Sequence, residues 1–441
     1  MTLLDKGTTT LDLSCAETEL LFAEALTRAC AEAGNVSSAL ILPPDITRFH
    51  SRGGALAVTA YRELTKMGIS VTVMPALGTH APLGRTALER MFPGIPEALF
   101  RVHDWRTDVT ELDRIEREWM EQTTEGAVSY DWPVQINRLL CDGGFDLVVS
   151  IGQVVPHEIA GMSNHAKNIF VGVGGKEAID KSHFAGAVYG MEKTMGRIET
   201  PVRAMFDEGL KRCADKLPPV FYALTVLSPR SQAELEATAG NDGGKLALRG
   251  LYCGFGRECF ELAAILARRV NIDLLDEPIR KAVVYLDPAE FQSTWLGNKA
   301  IYRTRMAMAD GGELLVIAPK LERFGEDAGI DALIRKHGYR PAKTVLEKVA
   351  ADAELTNSLS AAAHLIHGSG EGRFTVRYCP GPGLSQRETE SVGFEWGDIG
   401  EAISRYDVNK LEMGWNTGKD GERFFYVPNP ALGLWALSGE L

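Results

Sequence analysis

Residues 156 to 183 read PHEIAGMSNHAKNIFVGVGGKEAIDKSH, and they hold three of the chain's nine histidines together with three lysines, set among small residues and glycines. Imidazoles titrate near neutrality, so they serve as acid, base or metal ligand. His157 sits just beyond an apolar run, VVSIGQVVP, and the small residues of AGMSNHAKN let backbone approach a ligand closely. Lys167 and His183 lie on either side of NIFVGVGG. Read as a strand along a pocket wall, that run would let the two side chains converge. Their spacing fits neither HExxH nor a compact zinc motif. The plain alternative is a glycine-rich loop with solvated lysines, and His165 has no role assigned.

Two earlier loops have similar chemistry. PPDITRFHSRGG (43 to 54) crowds Asp45, Thr47, Arg48, His50 and Arg52 into a loop that leads into a helix. Backbone N–H groups, a hydroxyl and guanidinium forks suit a phosphate or carboxylate there. An Asp or Ser N-cap with solvated arginines is the plain reading. ALGTHAPLGR (76 to 85) puts His80 in a Gly/Pro loop, where it is either a general base or simply exposed. Other chemistries lack an anchor. There is no GxxxxGK[ST] loop, GFGREC and GVGGKE miss the dinucleotide fingerprint, and GPGLSQ is not a GxSxG elbow.

These loops need elements to hold them. SALILPP (38 to 44), a helix-spaced stretch at 54 to 68 and SVTVMPALG (70 to 78) make a βαβ unit, hence a parallel sheet flanked by helices. FDLVVSIGQ (145 to 153) and NIFVGVGG (168 to 175) read as further buried strands. A second series follows RRVNIDLLDEP: KAVVYLD (281 to 287), a helix near 299 to 309, GELLVIAP (312 to 319), DALIRKHG (331 to 338) and RFTVRYCPG (373 to 381). The expected fold is therefore α/β in two domains, 1–275 and 276–441, each a parallel or mixed sheet flanked by helices, with the active site in the cleft between them. The apolar RFFYVPNPALGLWAL should dock on one of them. In such sheets ligands sit beyond the carboxyl ends of strands, where the loops after 38–42, 70–76, 145–152 and 281–287 lie.

Composition narrows the partners. At 441 residues the chain exceeds one ordinary core, and 45% apolar with 24% charged residues suits a globular protein. A net charge of -12 without a basic run argues against nucleic acid. No stretch approaches the ~20 apolar residues of a membrane span, and the first residues lack a basic segment followed by an apolar one, so a cytoplasmic protein with no membrane partner is expected. Seven scattered cysteines without a CxxC pair indicate neither a disulfide framework nor a thiolate zinc site.

PPD-x-TR at 43–48, G-x-H at 78–80, PH-x-x-AG-x-S at 156–163, Lys167 and His183, in that order and nearly that spacing, resemble the lactate racemase family of nickel-pincer nucleotide enzymes. Lys299, twelve residues before the Gly-Gly pair at 311 and 312, extends the likeness more loosely. The resemblance implies a pyridinium mononucleotide with two thiocarboxyl arms that hold nickel, tethered through Lys167, with His183 as the protein ligand. It implies His80 and His157 as paired acid/base groups on either side of the substrate carbon. Arg48 and Lys299 would hold substrate, with Asp45 and Thr47 near the cofactor. The reaction implied is inversion at C2 of a 2-hydroxy acid by hydride loss and return, with the enzymes that make the cofactor as further partners. Ala81 replaces the family's common arginine after the first histidine, and Leu296 replaces its glutamine before the substrate lysine. These departures point from lactate toward other 2-hydroxy acids, sugar acids included. SAAAHLIHGSGEG (360 to 372) offers His364 as a further pocket residue, or else a helix with a solvated polar face. Two other classes compete: an NAD-dependent 2-hydroxyacid dehydrogenase, and a non-catalytic carrier of nickel or the nucleotide.

Overall fold

The computed structural model describes residues 1–237 and 244–441. The chain divides into two compact units, Met1–Ser182 with Arg197–Asn271, and His183–Gly196 with Ile272–Leu441. Both are α/β.

The first unit is built on six strands: β1 (Thr2–Gly7), β2 (Ser38–Leu42), β3 (Ser70–Val73), β4 (Leu147–Gln153), β5 (Val220–Pro229) and β6 (Leu246–Phe255), in the order β1-β6-β5-β4-β2-β3. The four strands β3, β2, β4 and β5 run parallel, and β6 and β1 add antiparallel edges. β4, LVVSIGQ, is buried along its whole length, as expected of a central parallel strand covered on both faces. On one face Ile41, Val149 and Ile151 meet Phe22 and Leu26 of α1 (Cys15–Ala33) and Leu56, Ala57 and Leu64 of α2 (Gly53–Lys66). Ser14 starts α1 with a capping box: its hydroxyl accepts from the Glu17 N–H at 3.2 Å, and the Glu17 carboxylate accepts from the Ser14 N–H at 3.0 Å. Such caps contribute about 1 kcal/mol. The predicted βαβ unit is present, with β2 and β3 in register from Ser38↔Ser70 to Ile41↔Val73.

One expected strand is not a strand. Asn168–Gly172, the start of NIFVGVGG, is a π-helical turn. A short apolar run cannot be told from a buried helical turn by pattern alone, and here the local polar partners decide. The Asn168 side chain donates to Ser150 Oγ at 2.9 Å, and the Val173 N–H donates to the Asn168 carbonyl at 3.1 Å, closing the wide turn. Gly174 allows it, because a Cβ there would collide with the Phe170 carbonyl oxygen. Phe170 packs edge-on against Trp132, with ring centroids 5.3 Å apart. Lys167 and His183 therefore do not flank a strand.

The second unit centres on β7 (Ile279–Tyr285), β8 (Met308–Ala318), β9 (Thr375–Pro380), β10 (Glu395–Trp396), β11 (Gly414–Thr417) and β12 (Arg423–Val427), in the order β10-β9-β8-β7-β12-β11. All neighbours are parallel except β11 and β12. The helix expected near 299 to 309 is shorter, Lys299–Thr304, because β8 already begins at Met308. The apolar tail is divided: Phe425 pairs with Ala282, and Leu434–Leu437 runs parallel to Ile272–Leu275. Among the described residues no helix is long and apolar enough to cross a membrane.

Two buried histidines make the fold acid-sensitive. His103 Nε2 lies 3.1 Å from the Gly174 carbonyl and Nδ1 2.9 Å from the Asn137 side-chain nitrogen, so the ring is held neutral. Burial pushes its pKa down to about 4, and that of His165 down to about 3. An unfolded histidine takes its proton near pH 6.5 and the folded rings resist it, so this stability is intact above that pH and is lost as pH falls toward 4. The expected loss is about 2 to 3 kcal/mol per ring between pH 7 and 4.5, measured by urea unfolding. His103→Gln should flatten the fall; an unchanged slope would contradict this account.

Candidate active site

Three loops follow the carboxyl ends of β2, β3 and β4, and they carry Asp45, His80 and His157 in turn. Parallel strands bring such loops to one edge. Asp45 caps the 3-10 turn Ile46–Ser51: its Oδ1 accepts from the Thr47 N–H at 3.2 Å and from the Thr47 hydroxyl at 2.6 Å. Its other oxygen faces His80 Nδ1 at 2.5 Å. Burial raises the Asp45 carboxyl pKa, but the His80 hydrogen bond and charge, the Thr47 hydroxyl and the Arg48 charge outweigh burial and hold it below the usual carboxylate range. An ionised Asp45 holds a proton on His80 Nδ1, so Nε2 is the ring atom left to face a ligand. The loop itself is pinned by Gly78, whose N–H donates to the Gly172 carbonyl at 2.8 Å in a left-handed conformation, φ +58°, that favours glycine.

His157 is held differently. It lies in a two-residue ladder, Pro156–His157 against Gly161–Met162, and is buried. The Ile159 N–H points at its Nδ1 from 3.3 Å, and the Glu158 carboxylate is 3.6 Å from the same atom. In the neutral ring, an Nδ1 that accepts from backbone leaves the ring proton on Nε2. Ser163 closes this segment, taking a bond from the Val155 N–H at 3.0 Å and donating to the Gln153 carbonyl at 2.8 Å.

Lys167 ends a stretch in which Asn164 and His165 are both left-handed, φ +67° and +57°. Gly152 admits this stretch, since a Cβ there would collide with the Asn164 side chain. The Lys167 side chain is half-buried. Burial lowers its amine pKa to about 8; Glu158 and Asp45 oppose that fall, and the positive charges of Arg48 and Arg203 add to it. Asp45, Thr47, Arg48, His80 and Lys167 therefore share one electrostatic neighbourhood, with Glu158 beside both Lys167 and His157. Sequence reading missed Glu158 although it adjoins His157. It missed Arg203 for want of any local motif.

The other four candidates belong to the second unit. His183 is half-buried, two turns into the helix Lys176–Tyr189. Leu296 is in the turn Thr294–Gly297, and Lys299 opens the Lys299–Thr304 helix with its ammonium 5.6 Å from the Phe291 ring centroid. His364 is buried in Leu359–His367, a helix with no solvated face over Ser360–His367. Its Nε2 lies 3.1 Å from the Tyr339 hydroxyl and 3.4 Å from the Asn298 amide nitrogen, and its ring faces Trp295 at 4.4 Å. Asn298 also accepts from the Tyr378 hydroxyl at 2.8 Å. His364 thus braces the residue directly before Lys299.

Residues 22–196 match the model of the lactate racemase N-terminal domain. The chain carries a lactate racemase N-terminal domain. All the first-unit candidates, and His183, fall inside that match. A crystal structure of a protein from Thermotoga maritima is similar over 97% of this chain and 100% of its own, with TM-score 0.78 and 22% identity. The lactate racemase apoprotein from Thermoanaerobacterium thermosaccharolyticum is similar over 98% of this chain and 94% of its own, with TM-score 0.69 and 15% identity. At these identities the likeness establishes the α/β fold beyond the lactate racemase N-terminal domain. No curated protein sequence matches the chain.

Proposed function

We propose that the protein is a racemase or epimerase that inverts C2 of a 2-hydroxy acid, working with a nickel-pincer nucleotide. The observation that carries this reading is the pairing of a carboxylate-backed histidine, His80 on Asp45, with Lys167 and Arg48 in one site on a lactate racemase N-terminal domain.

The residues present fit the group. A metal that arrives in its own chelate asks the protein for little more than one imidazole, and among the described residues no cluster of three or more His, Cys, Asp or Glu side chains is present. We assign that imidazole to His183. Lys167, with its amine partly uncharged at neutral pH, is suited to a covalent link with an acyl carbon of the nucleotide. When bound, the nucleotide supplies an electron-poor ring able to accept and return the C2 hydrogen with its electron pair.

The chain's own groups then do the following. Arg48 is suited to hold the substrate carboxylate through charge-assisted hydrogen bonds, and the resemblance gives Lys299 of the second unit a substrate-binding task as well. His80, with Nε2 bare, takes the hydroxyl proton of one enantiomer. His157, protonated on both nitrogens with the Glu158 carboxylate beside Nδ1, returns the Nε2 proton to oxygen for the other and is left neutral, and in the reverse direction the two exchange tasks. Asp45 stabilises the imidazolium that forms on His80 and keeps the ring oriented. Thr47 holds Asp45, and His364 and Leu296 shape the surroundings of Lys299. The seven unpaired cysteines suit a reducing compartment, and we place the protein in the cytoplasm with the cofactor-making enzymes as partners.

The test is to co-produce the protein with those enzymes, confirm the added mass, and offer a panel of 2-hydroxy acids in deuterated water. Inversion at C2 with the carbon-bound hydrogen retained is expected. Deuterium entering C2, or no inversion by protein bearing the nucleotide, would refute the proposal; net reduction of added NAD would favour a dehydrogenase.

A further inference from the structure

Arg203 is fully buried in the first turn of the helix Pro201–Arg212. Its guanidinium donates to the Met162 carbonyl at 2.5 Å and to the Asn164 carbonyl at 3.1 Å, and lies 4.3 Å from the Phe260 ring centroid. A buried cation directed at backbone carbonyls is costly. Asp207, the opposing charge that most offsets this burial, is itself bonded to Arg257 at 2.7 Å. The two clamped carbonyls bracket the approach to the left-handed pair Asn164 and His165, and Lys167 follows two residues later. Backbone of that shape persists only where surrounding contacts over-determine it. His165 adds to the hold from the other side, its ring 4.2 Å from that of Tyr222 and 5.3 Å from that of Phe260.

We propose that Arg203 is the positioning residue for Lys167, its guanidinium fork fixing the 162–164 backbone from which the lysine is presented while its charge faces the amine. The function given to Lys167 rests on the reading above; the clamp itself does not. The charged groups facing the amine are Glu158 from the loop after Pro156–His157, Arg48 and Asp45 from the loop after β2, and Arg203 from its helix, so the proposal fixes a sign for each. Losing Arg203 favours the ammonium. Losing Glu158 favours the free amine.

Acetylation by acetic anhydride, read peptide by peptide by mass spectrometry across pH, tests this on protein without any nucleotide, with exposed Lys66 as internal reference. Arg203→Gln should move the Lys167 midpoint upward and cut its labelling at pH 7.5 about two- to threefold, the effect of half a pKa unit on an amine near 8. Glu158→Gln should move it downward, and Arg203→Lys, which keeps a cation, should restore it. A merely structural role would alter melting and leave the midpoint where it was. A folded Arg203→Gln protein with wild-type Lys167 labelling overturns the proposal. Should that variant not fold, Arg203→Lys decides: it reaches one carbonyl at most, so amide hydrogens of 163–167 should exchange at least tenfold faster, and unchanged exchange overturns the clamp. Because no cofactor enters the assay, a failure here leaves the racemase reading standing, and the reverse holds too.

Discussion

Replacing Lys167 with alanine will remove turnover, by at least about a thousandfold, and leave a protein as stable as the original or more so. The first part follows from the proposed covalent link. The second follows from the amine's surroundings. A lysine drawn down to about 8 is one whose ammonium the fold disfavours, so deleting it relieves a cost of about 1 to 3 kcal/mol, offset by lost packing of the stem. Lys167→Arg separates the causes: it keeps a cation at the same place, cannot form the link, and should be as inactive as alanine while melting lower. Intact mass after co-production with the cofactor enzymes, racemisation rate and melting temperature are the three readings. Lys167→Ala with wild-type turnover would remove the centre of the proposed mechanism.

His80→Gln and His157→Gln should each slow racemisation by about a hundredfold to ten-thousandfold, the usual worth of a placed acid or base. The informative result lies in what each variant still does. With one imidazole left, only the enantiomer whose hydroxyl faces it can be oxidised, so a single turnover followed by acid quench should yield keto acid from opposite enantiomers in the two variants. Asp45→Asn should fall short of His80→Gln, losing about ten- to a hundredfold. It removes the charge that orients the ring at 2.5 Å and leaves the ring in place. Identical enantiomer preference in both histidine variants would mean that the two rings do not serve opposite sides of the substrate.

Much of the first unit was legible because its grammar is local. SALIL, the helix after it and SVTV announce a βαβ unit, and the unit in turn says which sheet edge carries the loops of Asp45 and His80. NIFVGVGG was misread because its apolar content is right for either structure. What decides is a polar bond from Asn168 to Ser150, eighteen residues upstream, which no window of pattern contains. Arg203 was invisible for the same reason in stronger form, since its partners are carbonyl oxygens and carry no residue identity at all. His364 carried a different ambiguity. An alanine-rich helix with two histidines reads as half-exposed, whereas hydrogen bonds to Tyr339 and Asn298 make burying the ring tolerable.

The excursion of residues 183–196 into the second unit has a bearing on how this chain can be made and how it can diverge. Met191 and Met195 belong to the same apolar cluster as Tyr302, Met306, Leu434 and Ala436, so that cluster is stitched from segments almost 250 positions apart in the primary order. A ribosome delivers the methionines long before their neighbours exist, and a nascent first half must wait with them uncovered. Nor can a gene cut after Asn271 yield two autonomous pieces: one would keep an orphaned apolar strip, and the other would lack part of its own interior. Recombination that swaps the halves between relatives must carry both segments together, so the two halves are bound to a shared ancestry.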